Sequence, residues 1–219
     1  SIAGIVVTHG TNTLEETAYF LDLVLGKGRP VVITGSQRTF DALSSDALGN
    51  LVASIQVACA DDSRNRGVLV VFNNRIFAAS EVVKVHTNNL DGFAALSFGP
   101  LGYVDEDQVV FKRKADENTP ALGFKWASVK DRVYLIKCGL GMGGELIEMA
   151  LLRGAQGFVL EGFGRGQVPP SVAASALKAV VKGIPVVLTS RCLMGEVKGV
   201  YDYEGSGYQL EQKGVILAG

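Results

Sequence analysis

A cluster of polar side chains lies between a strand-like run and a helix-like run near the start of the chain. The six residues Thr8-His9-Gly10-Thr11-Asn12-Thr13 supply three hydroxyls, one imidazole and one carboxamide. In open parallel sheets, ligands bind beyond the carboxyl ends of the strands, and the amides of a helix N-terminus favour an anionic group there. The segment is therefore predicted to line a binding crevice. Thr11, which precedes the helix cap, is its candidate reactive hydroxyl.

A threonine hydroxyl attacks a carbonyl only when a neighbouring group takes its proton. His9 is one candidate base, although a histidine in such a tight turn more often ties the loop down through its ring nitrogens. Lys84 is the other candidate, because it is a single charge within the apolar run Val82-Val83-Lys84-Val85 and partial burial can turn a lysine into a base. A surface lysine on an edge strand is the competing interpretation. Thr13 has a simpler role, since Thr13-Leu14-Glu15-Glu16 fits a helix capping box.

Strand-like and helix-like segments alternate along the chain and indicate how these residues are positioned. Apolar runs predict strands over residues 4–7, 30–35, 67–72, 75–78, 132–137, 157–160 and 185–189, and helical patterns cover residues 13–25, 45–60, 143–152 and 170–181. Asn73-Asn74 predicts a tight turn between two of the strands. Strands separated by helices of this length predict parallel sheets with right-handed crossovers.

The predicted fold class is α/β, with two open parallel-sheet domains joined by a linker. We expect a larger, flavodoxin-like domain over residues 1–112 and a smaller, Rossmann-like domain over residues 130–219. A charged run with a proline, residues 112–120, marks a shift in composition between them. Residues 113–129 are accordingly predicted to be the linker.

Composition excludes several functional classes. The chain has 219 residues, 47% of them hydrophobic, with 21 basic and 22 acidic side chains. This balance argues against a nucleic-acid partner, which would require a clustered basic excess. No run of about 18 apolar residues occurs and no signal peptide is visible, so we expect a cytoplasmic protein without a membrane partner. The 27 glycines are an excess for this length and indicate many strand-end loops.

Three cysteines are present, Cys59, Cys138 and Cys192, without CxxC spacing or a histidine cluster. Neither a metal site nor a redox pair is therefore expected. We predict buried, reduced thiols, which are typical of cytosolic proteins.

Several motifs together resemble one protein family. Residues 4–21 begin Gly4-Ile5-Val6-Val7-Thr8-His9-Gly10-Thr11 and continue through Leu14-Glu15-Glu16-Thr17, and they are similar to the second signature of the bacterial-type L-asparaginases. The similarity extends through residues 31–38, 65–72, 81–87 and 98–103. In the second half, residues 160–166 and 188–191 resemble the family's C-domain loops. Nearly the whole chain is covered.

The resemblance implies an amidohydrolase that converts L-asparagine to L-aspartate and ammonia, with L-glutamine accepted by some members. The family uses no metal and no organic cofactor. Thr11 and Lys84 match two positions of its catalytic triad, and Gly10, Thr11, Asn12 and Ser36 match substrate-binding positions. Ser36 corresponds to a position whose backbone contributes on the side of the departing amide. Members are homodimers or, more usually, homotetramers with active sites at subunit interfaces, so a second copy is the expected partner.

The sequence departs from the family pattern at three places. The Gly-Gly-Thr-Ile-type turn with the family's other catalytic threonine does not occur, so we expect that nucleophile, and the first strands of its domain, upstream of Ser1. Asn12 replaces the acidic residue that receives the substrate ammonium, which costs roughly 1–3 kcal/mol in binding and removes a charge that would hold Lys84 in place. Gln167 stands where a loop asparagine is usual, and the final helix is expected beyond Gly219.

Three alternative functions stay open at this point. A non-catalytic amino-acid-binding relative would keep the fold without the charge at Asn12. The amidase subunit of a tRNA-dependent amidotransferase shares this core and would carry an additional N-terminal domain. A nucleotide-dependent oxidoreductase is only weakly indicated, because Gly162-Phe163-Gly164-Arg165-Gly166 is not a G-x-G-x-x-G motif.

Overall fold

The structure is a computed structural model that describes residues 2–114 and 129–219. The chain divides into two units, Ser1–Trp126 and Ala127–Gly219. Each unit has its own sheet with helices packed on it, so the predicted α/β class with two domains is confirmed. The predicted linker, residues 113–129, lies mostly outside the described residues.

The first unit is built on a mixed sheet. Its strands are β1 (Ile5–Thr8), β2 (Val31–Thr34), β3 (Val68–Phe72), β4 (Arg75–Ala78), β5 (Val83–Lys84), β6 (Phe93–Ala94), β7 (Gly102–Asp105) and β8 (Gln108–Phe111), and its helices are α1 (Leu14–Leu25) and α2 (Ala47–Cys59). Six strands form one sheet in the order β1-β2-β3-β4-β7-β8, and β5 pairs with β6 separately. The pairs β1–β2 and β2–β3 are parallel, whereas β4, β7 and β8 continue the sheet in antiparallel pairs.

Pairing changes from parallel to antiparallel at the turn between β3 and β4. Asn73 and Asn74 have positive φ angles of 49° and 57°, which tight hairpin turns require. Phe72 pairs directly with Arg75 across the turn. Because a two-residue connection can join only antiparallel strands, the predicted turn is confirmed, and the parallel part of this sheet is limited to the first three strands.

The core of the first unit is divided between the two faces of the sheet. Ile33 of β2 packs with Leu14 of α1 on one face, and Val32 packs with Val57 of α2 on the other. Successive residues of a strand point to opposite faces, so all four residues of β2 are buried. Fully burying each large apolar side chain contributes about 1.5–3 kcal/mol. One helix on each face therefore fixes β1 and β2, the strands that lead into the candidate crevice.

Helix α1 ends as the sequence predicts but begins differently. Gly26 follows the last helical residue with a φ of 67°, a conformation that glycine adopts at no steric cost. Thr13 occupies the N-cap position, yet its side chain makes no cap hydrogen bond. The predicted capping box is therefore wrong. Glu15 in the first turn makes its hydrogen bond outside the helix, with the Lys84 amide.

The second unit contains a parallel sheet. Its strands are β9 (Val133–Lys137), β10 (Gly157–Gly162), β11 (Val186–Ser190) and β12 (Ile216–Leu217), and its helices are α3 (Glu145–Leu152), α4 (Pro170–Val181) and α5 (Gly207–Gln212). The strand order is β12-β11-β10-β9, and all three pairings are parallel. Helix α4 begins at Pro170, as predicted, because proline fits the first helical turn. Leu160, Val172 and Leu188 are among the buried residues of its core.

The three cysteines are free thiols. Cys138 is buried, whereas Cys59 and Cys192 are exposed, so the prediction of buried thiols is correct for one and wrong for two. Burial raises the pKa of the Cys138 thiol, which keeps it protonated at neutral pH.

Two kinds of feature are absent from residues 2–114 and 129–219. No helix in these ranges is long and apolar enough to cross a membrane. Within the same ranges, no three His, Cys, Asp or Glu residues form a group that could hold a metal ion.

Candidate active site

The loops after β1 and β2 lie side by side at the carboxyl ends of parallel strands. Thr8, the last residue of β1, pairs with Thr34, the last residue of β2. The His9 amide donates a hydrogen bond of 2.8 Å to the Thr34 carbonyl. Residues 10–12 therefore follow one strand and Ser36 follows its neighbour, at the position where open parallel sheets bind ligands.

Gly35 allows these two loops to touch. A Cβ atom at position 35 would lie 2.3 Å from the His9 carbonyl oxygen, far inside van der Waals contact. Any larger residue would force the loops apart, so the close backbone approach requires glycine. Gly10 differs, because a Cβ atom there would meet no heavy atom within 4 Å.

The His9 ring ties the first loop to α1. Its Nδ1 lies 2.7 Å from the Gly10 carbonyl oxygen and its Nε2 lies 3.1 Å from Thr17 Oγ1. A carbonyl oxygen only accepts, so Nδ1 carries the hydrogen, and in the neutral ring Nε2 accepts from the Thr17 hydroxyl. Because both ring nitrogens are engaged in this way, His9 holds the loop, and the contact with Thr11 is made by the other candidate base.

That contact is between the Lys84 side chain and the Thr11 hydroxyl. Lys84 Nζ donates to Thr11 Oγ1 at 2.8 Å, and both residues are half-buried. Lys84 ends β5 and lies opposite Phe93 of β6. The Phe93 ring packs against Phe72 of β3, with ring centroids 4.7 Å apart. The core of the sheet therefore supports the strand pair that brings Lys84 to Thr11.

A carboxylate stands beside this pair. Glu15, in the first turn of α1, accepts a hydrogen bond from the Lys84 backbone amide. Burial raises the pKa of Glu15, as does the charge of Glu16, whereas the Lys84 amide and the Lys84 charge lower it. Reasoning from the sequence missed Glu15; its spacing of four residues from Thr11, about one helical turn, was the available signal.

Two polar residues associated with α2 hold the loop after β2. Asp46, at the N-cap position, accepts from the Gln37 amide at 3.0 Å. Asn50 is 2% exposed, donates to the Gly35 carbonyl at 2.9 Å and accepts from the Asn73 amide at 2.9 Å. Neither residue was identified from the sequence. A lone amide on the buried face of an apolar helix was the signal for Asn50, because such a group must find hydrogen-bond partners.

A cavity of about 400 Å³ opens between the two loops. Its lining includes the polar strand-end residues His9, Gly10 and Ser36, and the apolar side chains of Phe40, Leu48 and Leu51. This volume is within the range of small-molecule sites. Among the described residues, Thr11, Asn12 and Lys84 are not part of the lining, and Asn12 is exposed. The structure thus brings Gly10 and Ser36 to one cavity, and Thr11 and Lys84 into contact beside it.

The second unit has a glycine-rich loop after β10, residues 162–167. The Phe163 amide donates to the Gln167 carbonyl at 2.7 Å, and the Gly166 amide donates to the Phe163 carbonyl at 3.0 Å. The Arg191 guanidinium lies over the Phe163 ring, 4.8 Å from its centroid. Within the described part of the chain, Gln167 Nε2 is buried without a hydrogen-bond partner. The loop is a tight, self-bonded turn at the carboxyl end of its strand.

Comparison with known proteins identifies the family. The family model described as "Asparaginase, N-terminal" matches residues 1–117. A second model, "Glutaminase/Asparaginase C-terminal domain", matches residues 132–219. The chain belongs to the asparaginase family. The family resemblance seen in the sequence motifs is therefore confirmed.

Individual relatives of this asparaginase-family chain are similar over nearly its whole length. An L-asparaginase of Bacillus licheniformis is 46% identical over 215 residues, which cover 98% of this chain and 66% of the relative. The "Probable L-asparaginase" of Deinococcus radiodurans is 40% identical, covering 98% of this chain and 65% of the relative. A crystal structure described as "Probable Cytoplasmic L-asparaginase from Campylobacter jejuni" is 32% identical with a TM-score of 0.87, covering 99% of this chain and 66% of that one. The chain spans just under two thirds of the length of these relatives.

Proposed function

We propose that this member of the asparaginase family hydrolyses L-asparagine to L-aspartate and ammonia. The observation that carries the proposal is the 2.8 Å contact between Lys84 Nζ and Thr11 Oγ1, beside the paired strand ends. A hydroxyl in contact with a lysine nitrogen can relay a proton, and amide hydrolysis requires proton transfer both to and from the reacting atoms. Relatives named L-asparaginase support L-asparagine as the substrate.

In the proposed reaction, the oxygen of a threonine other than Thr11, the nucleophile that the family resemblance implies, attacks the amide carbon of the substrate side chain. Lys84, reacting as the neutral amine, takes up through the Thr11 hydroxyl the proton released by the attacking hydroxyl, and the ammonium so formed returns it to the leaving nitrogen, so ammonia departs and an ester remains. Water then adds to the ester carbon, and the same pair moves its proton. L-aspartate leaves and the hydroxyl is regenerated. The amides of Gly10 and Thr11 are proposed to stabilise the negative oxygen of each intermediate.

Gly10, Asn12 and Ser36 are proposed to bind the substrate. Gly10 and Ser36 line the cavity of about 400 Å³, which suits an amino-acid amide such as L-asparagine or L-glutamine. The exposed Asn12 carboxamide can accept a hydrogen bond from the substrate ammonium but forms no ion pair. Restoring a carboxylate in Asn12→Asp is therefore expected to strengthen substrate binding by about 1–3 kcal/mol, measured as a lower KM.

A second copy of the chain is the proposed partner. Exposed apolar side chains follow one face of α2 at Leu48, Val52 and Ile55, with exposed fractions of 60%, 53% and 48%. Their spacing places them in a single stripe, and the preceding loop adds Phe40 and Leu43, exposed by 71% and 107%. An apolar patch of this kind on a protein surface is typical of an interface.

Light scattering coupled to size-exclusion chromatography tests this assembly. We expect the mass of a homodimer or homotetramer, and a shift toward the monomer when Val52→Lys and Ile55→Lys are combined. A control pair on the polar surface, Lys27→Met with Glu16→Gln, should leave the mass unchanged. A wild-type mass equal to one chain would show that this proposal is incorrect.

A cytoplasmic location is also proposed. The Campylobacter jejuni relative is described as cytoplasmic, and Cys59, Cys138 and Cys192 are free thiols, the state that a reducing compartment maintains. Cell fractionation with an antibody against the protein measures this directly.

Ammonia release from L-asparagine and L-glutamine tests the proposed activity. Thr11→Ala and Lys84→Met are each expected to lower kcat by about 10³-fold, because each removes one half of the proton relay. Thr13→Ala and Lys27→Met are the matched controls; they change the same residue types outside the relay and should keep the wild-type rate. Near-wild-type rates for both relay variants would contradict the assignment. Calorimetric binding of L-asparagine without ammonia release would favour the non-catalytic amino-acid-binding alternative.

A further inference from the structure

Lys84 is held by very little regular structure. Strand β5 is two residues long, and its partner β6 is equally short. The next backbone bond along the segment runs from the Val85 amide to the Gly92 carbonyl at 2.8 Å. A strand pair of this size is marginal on its own, so side-chain contacts must contribute to the position of Lys84.

One segment of the chain contacts Lys84 at two separate points. Thr11 Oγ1 lies 2.8 Å from the side-chain Nζ, and the Glu15 carboxylate accepts from the backbone amide. Thr11 lies in the loop before α1, and Glu15 lies in the first turn of that helix. The backbone and the side chain of Lys84 are therefore both fixed to the segment from Thr11 to Glu15, and a shift of β5 along α1 would break both contacts.

Glu15 also supplies a negative charge near an ammonium group. Residue 12, which follows the hydroxyl residue directly, is a neutral asparagine. Glu15 and Lys84 attract each other electrostatically, and Glu15 is half-buried, where such an attraction is stronger than in open water. The helix N-terminus favours a carboxylate at this position as well.

We propose that Glu15 is a positioning residue that acts through Lys84 and holds its side-chain nitrogen against the Thr11 hydroxyl. The hydrogen bond from the Lys84 amide to the Glu15 carboxylate fixes the position of β5. The negative charge of the same carboxylate attracts the Lys84 side chain. The effect on turnover rests on the proposed function, because it requires the Thr11–Lys84 pair to be catalytic.

Kinetics of three variants test this role. Glu15→Ala removes the acceptor and is expected to lower kcat by about 10²-fold, because misplacing a catalytic group by about 1 Å has an effect of that size. KM should stay within about twofold. Glu15→Gln keeps an acceptor oxygen on a side chain of the same length, so its kcat should be about tenfold higher than that of Glu15→Ala. Glu16→Gln removes a neighbouring charge on the exposed side and is the control, with wild-type kinetics. Equal losses for Ala and Gln, together with a lower Tm for both, would indicate a merely structural residue and overturn the proposal.

Hydrogen exchange at the Lys84 amide separates this inference from the proposed function. Loss of the Glu15 acceptor should speed exchange of that amide about tenfold, the equivalent of one hydrogen bond, whereas Glu15→Gln and Glu16→Gln should exchange near the wild-type rate. If the wild-type protein releases no ammonia, the proposed activity fails, and faster exchange in Glu15→Ala still supports the positioning of Lys84. Unchanged exchange in Glu15→Ala overturns the inference whatever the kinetics show.

Discussion

The carboxyl-end loops of the two sheets are stabilised in different ways. In the first unit, side chains bridge the loops to neighbouring elements, as His9 does with its two ring nitrogens and Asn50 does with its carboxamide. In the second unit, the loop after β10 bonds to itself through the backbone groups of Phe163, Gly166 and Gln167. The first loop is held mainly by side chains, and the second mainly by backbone groups, with one side-chain bond from Ser190 to the Gly164 carbonyl.

The loops of the two units should therefore respond to different kinds of substitution. In the first unit, ionisable and amide side chains both support the loops and border the candidate relay, so changes in residue type or pH affect structure and chemistry together. In the second unit, Gly164 and Gly166 have φ angles of 49° and 99°, which disfavour residues with a Cβ atom. Three predictions address this comparison.

The largest effect is expected from Asn50→Ala in the first unit. The substitution leaves the half-buried Gly35 carbonyl and the amide of the exposed residue Asn73 without their side-chain partner. Two lost hydrogen bonds and the cavity at the buried Asn50 side chain should together lower the free energy of unfolding by about 3 kcal/mol, measured by urea denaturation. Gln56→Ala, whose side chain bonds to Glu106 in an exposed position, is the control and should change it by less than about 1 kcal/mol. An Asn50→Ala effect no larger than that control would show that the loops do not depend on this bridge.

A smaller effect is expected from Gly166→Ala in the second unit. The residue has a φ of 99°, and an added Cβ atom would lie 2.6 Å from Val197 Cγ1. Strain and contact together should lower the free energy of unfolding by about 2 kcal/mol. Gly139→Ala is the matched control, because a Cβ atom there meets nothing within 4 Å. Equal stability of the two variants would contradict a loop held by backbone conformation.

The smallest effect is a pH dependence of opposite sign in the two units. In the folded protein, burial raises the pKa of Glu15 above its usual value of 4.5. The contribution of Glu15 to the free energy of unfolding is therefore fully present below pH 4.5 and is lost as the pH rises through the raised pKa. In the second unit, the hydrogen bond from Lys178, 2.6 Å long, lowers the pKa of Glu148 from 4.5. Its contribution is therefore present above pH 4.5 and is lost as the pH falls through the lowered pKa.

Unfolding of Glu15→Gln and Glu148→Gln from pH 3 to pH 7 measures these two slopes. Relative to its Gln variant, the wild-type protein should lose stability with rising pH in the first case and gain it in the second. Two slopes of the same sign would mean that burial does not determine the pKa of Glu15.

Features determined by neighbours in the sequence were predicted from it. Asn73-Asn74 forms the expected turn, Gly26 ends α1 and Pro170 begins α4. Each depends on the φ angle or missing amide of a single residue. The alternation of apolar runs also located β1 to β4 and β9 to β11, because burial on two faces leaves a direct mark on composition, but it did not predict β5 to β8.

Contacts between distant residues could not be predicted in this way. Glu15 accepts from an amide 69 residues away, and the Asn50 carboxamide bonds 23 residues away. Arg113, expected in the linker, forms an ion pair with Glu81, whose side chain is 5% exposed. No local pattern specifies which of several polar residues will meet. The pairing of Thr11 with Lys84, 73 residues apart, agrees with the residue chemistry, which favoured Lys84 over His9, but spacing alone could not select it and the family resemblance did.

The backbone contact at Gly35 has a consequence for engineering this protein. Because the loops after β1 and β2 meet backbone to backbone at Gly35, which admits no Cβ atom, this contact does not involve the side chains of Asn12 and Ser36. Asn12 is exposed and Ser36 is half-buried, so substitution libraries at these two positions can change the chemistry presented to a ligand on a scaffold of fixed dimensions. A search for altered ligand preference can then start from these two residues, with no need to redesign the fold.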